Sequence, residues 1–234
     1  MNQTLKLAII IFLITTFPAF SQTGLWLGGN QEIGLGNDYN LKLRQDQRYE
    51  AMVQEYDQSL FQIGIKKNLP NNWNIEIPLR YTNFGNHTMH KNAMRFGLMG
   101  SKSLPLNKKQ MLGFRSSYQI DQLWGLQNDL LFNWRNKLDF RQNWNQILQT
   151  KIENELWLRT QSALQFERIR LSLNNQIELN KKNAIVLGYF VQHKIPFQFG
   201  PWEKILFIRY KRKFSGEESV LNLFRSKLPH SQSS

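Results

Sequence analysis

The chain has 234 residues, which suits one domain of ordinary size, and its formal net charge is +13. It contains no Cys, so disulfides, thiolate metal sites and Cys nucleophiles are excluded. The mean hydropathy of −0.49 argues against a helical membrane protein, although hydrophobic residues make up 41% of the chain and aromatic residues 13%.

The N-terminal segment 1–21 has the features of a secretory signal peptide. Lys6 precedes a run of apolar residues, and small residues follow at Ala19 and Ser21. These fit the −3 and −1 positions of a peptidase that would cut after Ser21. An uncleaved anchor is the alternative, but the apolar run is short for a helix that needs about 20 residues to span a bilayer. We therefore predict an exported chain whose mature part, residues 22–234, is a single domain.

Apolar and polar residues alternate with period two through most of the mature chain. In one segment Ile169, Leu171 and Leu173 alternate with Arg170 and Ser172, which indicates a strand with two unlike faces. Such runs are about ten residues long, close to the roughly 9–11 residues of a transmembrane β-strand and longer than the usual strand of a soluble sheet. Aromatic residues recur near the ends of the apolar faces, where a membrane barrel has its aromatic girdles. The predicted girdle residues are Trp73, Tyr81, Tyr118, Trp134, Trp144, Trp202 and Tyr210.

About eleven such segments can be counted, the first being Gly24–Ile33. Short polar turns such as Gly36–Asp38 alternate with longer connections such as Asp121–Leu126, as turns and loops do in outer-membrane barrels. Because single-chain bacterial barrels have even strand numbers, we expect either that the first segment does not span, leaving ten strands, or that Val220–Phe224 adds a twelfth. The sequence therefore predicts an all-β, antiparallel up-and-down transmembrane β-barrel of about 10–12 strands, with 215–234 as a polar tail or a short last strand.

Period-two alternation indicates two faces but does not say which one is outside. A soluble periplasmic barrel that carries an apolar ligand would alternate as well, with its apolar side chains inside. The strand length, the aromatic ends of the strands and the alternating connections favour the barrel whose apolar face is outside. The hypothesis is a barrel in the outer membrane, and the soluble barrel is the alternative.

Several motifs also resemble those of a known family. They are Trp26 near the mature start and the stretches Arg44–Arg48, Trp134–Leu138, Glu155–Arg159, Phe166–Arg170, Asn180–Asn183 and Leu187–Phe190. With these, the chain is similar to a family of Gram-negative outer-membrane-type barrels that is catalogued only as a domain of unknown function. The resemblance covers roughly residues 24–214. It implies a barrel fold and an outer-membrane location, and it implies no catalytic residues.

Charged residues on the polar faces of the strands would line the lumen of such a barrel. We predict that Arg141 lies opposite Glu153 and that Glu155 lies diagonal to Arg170; such pairs stabilise a sheet. They form either a structural ion-pair network or the lining of an anion-attracting channel. The partners expected are outer-membrane lipids and anionic solutes or lipid headgroups. Nucleic acid is not expected, because the charge is spread over alternating strand positions. The predicted lumen-facing residues are Arg135, Arg141, Glu153, Glu155, Arg159, Arg168, Arg170 and Arg209.

Residues that would indicate catalysis are sparse. His193 could meet a serine such as Ser172 in a lipid-hydrolase arrangement. His87 and His90 are spaced as metal ligands can be, but no third ligand is evident. We therefore predict no catalytic residues, no metal and no cofactor. The expected function is a non-enzymatic outer-membrane barrel with a structural, binding or small-solute transport role. The alternatives are a membrane-embedded lipid hydrolase and the soluble barrel described above.

Overall fold

The computed structural model describes residues 23–50, 55–85, 90–125, 128–160, 164–195 and 202–214. The predicted signal peptide and the tail with Val220–Phe224 lie outside the described residues. The part described contains no helix that is long and apolar enough to cross a bilayer. It forms one 3-10 turn, Pro70–Asn72, and eleven strands: β1 (Thr23–Gly36), β2 (Tyr39–Glu50), β3 (Glu55–Leu69), β4 (Trp73–Phe84), β5 (His90–Pro105), β6 (Gln110–Gly125), β7 (Asp129–Asn143), β8 (Leu148–Thr160), β9 (Leu164–Glu178), β10 (Asn183–Lys194) and β11 (Glu203–Phe214).

The eleven strands form one closed barrel in which each strand is paired with its neighbours in the sequence. All of these neighbouring pairs are antiparallel, and the barrel closes where β1 pairs with β11. The predicted all-β, up-and-down barrel is therefore confirmed. A closed sheet leaves no edge strand with unpaired backbone groups.

The closed barrel has eleven strands among the described residues, which agrees with the predicted 10–12, although the expectation of an even number was wrong. The segment Gly24–Ile33 is part of the barrel wall, because β1 pairs with β2 on one side and with β11 on the other. With an odd number of strands in an up-and-down order, the first and last strands run in the same direction. Their pair is accordingly parallel, and it extends in unbroken register from Thr23↔Lys204 to Ile33↔Phe214.

The connections divide between the two ends of the barrel. One end, here called the turn end, has the connections 37–38, 70–72, 106–109, 144–147 and 179–182. The first of these is a two-residue turn in which Asn37 and Asp38 both have positive φ, as a tight hairpin requires. The other end, here called the loop end, has 51–54, 85–89, 126–128, 161–163 and 195–202.

The difference in length between the two ends is smaller than predicted, because the strands are longer than predicted. They have 12 to 16 residues, and they continue into segments that the sequence suggested were loops. Asp121–Leu126 was expected to be a long connection, but β6 reaches Gly125. Only the last loop-end connection, 195–202, is clearly longer than the rest.

The apolar faces of the strands point outwards. On β3, Phe61, Ile63 and Ile65 are 50%, 39% and 52% exposed, while the residue between the first two, Gln62, accepts hydrogen bonds inside the barrel from Arg80. On the neighbouring strands, mostly apolar outward residues pair with these outward residues, and inward polar residues pair with Gln62. An apolar interior, on which the soluble alternative depends, is therefore not what this sequence forms.

One part of the interior is apolar nevertheless. It lies beside the parallel pair, on β1, β10 and β11, where the ring centroids of Trp26 and Phe190 are 4.7 Å apart. The inward residues of the two closing strands thus pack against each other and add burial of apolar surface to the backbone pairing. The buried residues of this cluster are Trp26, Val186, Phe190, Ile205 and Phe207.

Two adjacent glycines of β1 test this assignment of faces. A Cβ added at Gly28 would clash with Oδ1 of Asp46 and lie 2.8 Å from the carbonyl oxygen of Gln45, whereas a Cβ at Gly29 meets nothing within 4 Å. We expect Gly28→Ala to lower the free energy of unfolding by about 1–3 kcal/mol, because the interior is overpacked there. Gly29→Ala should change it by less than about 0.5 kcal/mol or raise it slightly.

Urea unfolding of the two variants, followed by tryptophan fluorescence, measures both values. Equal effects of the two substitutions would contradict the assignment of Gly28 to the interior and Gly29 to the exterior.

Candidate functional site

The lumen of the barrel is the candidate site, and the carboxylate of Asp46 lies near its middle. Asp46 is 1% exposed and accepts hydrogen bonds from Arg44 Nε at 2.9 Å and from Arg209 Nη2 at 3.1 Å. Arg209 is on β11, and β1 lies between it and Asp46. Its side chain reaches across β1 because the residue of β1 that pairs with both Asp46 and Arg209 is Gly28, which has no side chain. A side chain at that position would occupy the space in which the ion pair forms.

A second carboxylate, Glu155 on β8, is also held by two arginines. Arg135 on β7 donates from Nη2 at 2.7 Å, and Nη1 of Arg170 on β9 lies 3.4 Å away. Arg170 also donates to Oε1 of Gln192 at 2.6 Å. The guanidinium of Arg170 lies 4.3 Å from the ring centroid of Phe190, which connects this ion pair to the apolar cluster beside the parallel pair.

A third carboxylate, Glu153, forms ion pairs with Lys137 and Lys151. It also accepts a hydrogen bond of 2.7 Å from Nδ2 of Asn174. Each of these three buried carboxylates therefore has two cationic partners, and together the pairs involve five strands, β2, β7, β8, β9 and β11. We call the nine charged residues that form these pairs the central ion-pair layer: Arg44, Asp46, Arg135, Lys137, Lys151, Glu153, Glu155, Arg170 and Arg209.

Two of the predicted cross-strand pairs are shifted in the structure. Arg141 lies opposite Lys151, not Glu153, and its Nε donates to Oδ1 of Asp139 on its own strand at 2.8 Å. The reason is the connection 144–147, which centres the hairpin one residue earlier than the prediction assumed and so moves the partner of Arg141 by two residues. Glu155 lies directly opposite Arg170, where a diagonal position was expected.

All eight residues predicted to face the lumen point into the barrel in the structure. Five of them, Arg135, Glu153, Glu155, Arg170 and Arg209, belong to the central ion-pair layer. Arg141 adjoins the layer on the side of the turn end through Asp139. Arg159 and Arg168 lie towards the loop end, where Nη2 of Arg159 is 3.2 Å from Oε1 of Glu167.

A basic chamber occupies the half of the lumen between the central ion-pair layer and the loop end. Its volume is about 240 Å³. Arg48, Arg80 and Arg95 lie in its wall and were not among the predicted lumen-facing residues, although the alternation on β2, β4 and β5 places them on the polar faces. The lining residues are Trp26, Arg44, Arg48, Gln58, Arg80, Thr82, Phe84, Ala93, Arg95, Asp121, Leu123, Leu131, Asn133, Arg135, Trp157, Glu167, Arg168 and Arg170.

The predicted girdle residues are all exposed on the outer surface. Trp73, Trp144 and Tyr210 lie towards the turn end, and Trp202 lies at the loop end. The other three lie within their strands, and two of these, Tyr118 and Trp134, are paired side by side. Nε1 of Trp134 donates to the hydroxyl oxygen of Ser116 at 2.8 Å, so its polar group is satisfied within the wall.

The histidine and serine considered for hydrolysis lie on opposite faces of the wall. Ser172 pairs with Phe190, whose side chain is inside, whereas His193 pairs with Ile169 on the outer face. The ring of His193 lies 5.2 Å from that of Trp202. The proposed pairing of His193 with Ser172 was therefore wrong.

Of the two predicted loop histidines, His87 lies outside the described residues. Within the described ranges, no group of three possible metal ligands is present.

Comparison with known proteins finds no family model that matches the chain and no curated protein similar to it.

The ion pairs around Asp46 make a prediction about stability. Asp46→Asn leaves Arg44 and Arg209 buried without a countercharge, and we expect it to lower the free energy of unfolding by about 3 kcal/mol. The control is Lys194→Gln, which removes an exposed pair in which Nζ lies 3.3 Å from Glu203 Oε1. Exposed pairs contribute less than about 1 kcal/mol. Urea unfolding of both variants measures the difference, and similar small losses would contradict a structural role for the central ion-pair layer.

Proposed function

We propose that the chain is an exported, non-enzymatic β-barrel of the outer membrane whose lumen binds or holds charged groups. The observation that carries the proposal is the outer surface, on which apolar side chains of successive strands are exposed around a closed sheet. In water such a surface favours association. In a bilayer it is the surface expected of a barrel, because lipid offers the backbone no hydrogen-bond partners and only a closed sheet supplies them all.

The strand lengths support the same proposal. A strand of 12 residues, the shortest in this barrel, is about 40 Å long at about 3.3 Å per residue. Tilted by about 40°, it spans about 30 Å, which is the thickness of the hydrocarbon core. The sequence features of a signal peptide at 1–21 are consistent with export.

A binding or structural role suits the lumen better than a wide pore. An interior of about this strand number has little room once long side chains enter it, and the central ion-pair layer extends from β2 and β11 to β7, β8 and β9. We therefore expect small solutes to enter the chamber at the loop end more readily than they cross the whole barrel.

Cell fractionation tests the location directly. The full chain is expressed in a Gram-negative host, and the outer membrane is separated and run on SDS gels with and without boiling. We expect the protein in the outer membrane, with a mobility that changes on boiling because a closed sheet has no edge from which to unpair. Recovery in the soluble periplasmic fraction would contradict the proposal.

Substitution of two exposed leucines by lysine can distinguish a surface in contact with lipid from a surface exposed to water. Leu98 lies in the middle of β5 and Leu106 in the turn after it, and they are 55% and 56% exposed. Leu98→Lys should lower the free energy of unfolding in lipid vesicles by about 2–4 kcal/mol, whereas Leu106→Lys, outside the hydrocarbon region, should cost at most about 1 kcal/mol. A surface in water would accept both substitutions equally, so equal effects in urea unfolding experiments would argue against a bilayer around Leu98.

A further inference from the structure

We propose that the basic chamber is a binding site for a phosphate group, either free or as a phosphate monoester, that enters from the loop end. The inference deepens the binding role of the lumen in the proposed function and rests on it. Its starting point is three guanidinium groups, those of Arg48, Arg80 and Arg168, for which no carboxylate lies within ion-pairing distance among the described residues.

Each of the other arginines of the chamber wall has a carboxylate partner in the protein, although two of these carboxylates are each shared by two arginines. Arg95 is paired with Asp121, Arg44 with Asp46, and both Arg135 and Arg170 with Glu155. Glu167 is engaged by Arg159. The remaining three arginines have no such partner and line one cavity of about 240 Å³, where like charges partly enclosed by protein repel more strongly than in open solution. A bound anion would remove this repulsion.

The three arginines are held in place by neutral groups. The guanidinium of Arg48 lies 3.8 Å from the ring centroid of Trp26, and that of Arg168 lies 4.9 Å from the ring of Trp157. Nη2 of Arg80 donates to Oε1 of Gln62 at 2.7 Å. Stacking and amide contacts fix the direction of a guanidinium without cancelling its charge. The arrangement places three oriented positive charges around one cavity, as an anion site requires.

Three buried N–H groups in the chamber wall have no hydrogen-bond partner: Nε of Arg48, Nε of Arg168 and Nε1 of Trp157. A buried donor without a partner is costly, and ordinary folded proteins contain few of them. Donors on two arginines and a tryptophan can bind an oxyanion with several acceptor oxygens, and the two unpartnered acceptors of the same wall, Oδ1 of Asn133 and Oε2 of Glu167, can accept from a protonated phosphate oxygen. Guanidinium groups bind phosphate through two parallel hydrogen bonds, and this favours phosphate over chloride.

The position of the chamber defines the route of entry. Arg48 is near the loop end of β2, Arg80 is in the loop-end half of β4, and Arg168 is near the loop end of β9. The turn-end side of the chamber is closed by the central ion-pair layer. A phosphate group would therefore enter from the loop end, either on a free solute or on a lipid headgroup bent into the mouth of the barrel.

Isothermal titration of the purified full chain in a neutral detergent with inorganic phosphate tests the site. We expect one saturable site that sulfate displaces and that chloride displaces poorly. Arg48→Gln, Arg80→Gln and Arg168→Gln should each weaken phosphate binding about 10- to 100-fold, as the loss of a charged hydrogen bond does. The matched control is Arg115→Gln. Arg115 is also inward and also has a buried Nε without a partner, but it lies in the turn-end half of the lumen, outside the chamber.

Stability separates a binding site from a structural role. Without phosphate, the three variants should resist urea at least as well as the wild type, because each removes one of three repelling charges. With phosphate, the wild type should gain stability and the variants should gain less. Variants that are unstable without phosphate would mean that these arginines hold the fold together, and this would overturn the inference.

The source of the phosphate group is identified by repeating the titration in vesicles. Phosphatidylcholine vesicles are compared with vesicles that also contain phosphatidic acid. If phosphatidic acid competes with inorganic phosphate, the natural ligand is a lipid headgroup, and if it does not, the ligand is a soluble phosphate.

The phosphate site and the membrane barrel can fail separately. If the chain is in the outer membrane and changes mobility on boiling, but does not bind phosphate, the phosphate site is overturned and the membrane barrel stands. The same holds if Arg48→Gln and Arg115→Gln bind phosphate equally well. A chain that is soluble in the periplasm removes the membrane barrel itself.

Discussion

Closure of the sheet between β1 and β11 is the constraint on which the rest of the structure depends. The parallel pair keeps one register over eleven residues, so the inward residues of β1 are next to the inward residues of β11. A shift of one residue would turn Trp26 and Gly28 outwards and would bring their neighbours Leu25 and Leu27 into the lumen. The apolar cluster around Phe190 and the pair between Asp46 and Arg209 both require this register, and so both stabilise the closed form over an open sheet.

The interior of the barrel explains the basic composition of the chain. Three buried carboxylates, Asp46, Glu153 and Glu155, are each shared by two cations, an arrangement that requires more cations than acids. Ion pairs in a narrow polar lumen are costly to desolvate, and they stabilise the fold only when each charge has good partners. Towards the loop end, Arg48, Arg80 and Arg168 have no carboxylate partner among the described residues and line a cavity. The excess of positive charge is thus found both in the central ion-pair layer and around the basic chamber.

Most of the barrel could be predicted from the sequence, because a strand with one apolar and one polar face has a period of two that is visible without any partner. The division of β9 into one face with Ile169 and Leu171 and another with Arg168 and Arg170 follows from this pattern alone, whereas the direction of each face was inferred from strand length and the aromatic ends of the strands. The even strand number did not hold. It came from a general rule, and nothing in the sequence of Gly24–Ile33 itself indicated that this strand is absent from the wall. The parallel pair could not be predicted, because it joins residues about 180 positions apart through register that depends on closure.

The chemistry of the lumen was less predictable than its polarity. A hairpin centred one residue earlier moves the partner of Arg141 from Glu153 to Lys151, and small errors of this kind change every partner along a hairpin. The basic chamber is lined by residues from β1 to β9, and its three arginines without a carboxylate partner lie on β2, β4 and β9. This is a property of the whole cross-section of the barrel, and no local motif indicates it.

The central claim is that the apolar face of each strand is outside and in contact with lipid. Since the chain has no Cys, single spin labels can be attached to cysteines introduced one at a time along β7 from residue 130 to residue 140. In lipid vesicles, we predict that labels at even positions collide readily with oxygen, which dissolves in lipid, and poorly with a water-soluble nickel complex, while labels at odd positions are protected from oxygen. Alternation with the opposite phase, or even positions that are accessible to the nickel complex, would contradict the claim.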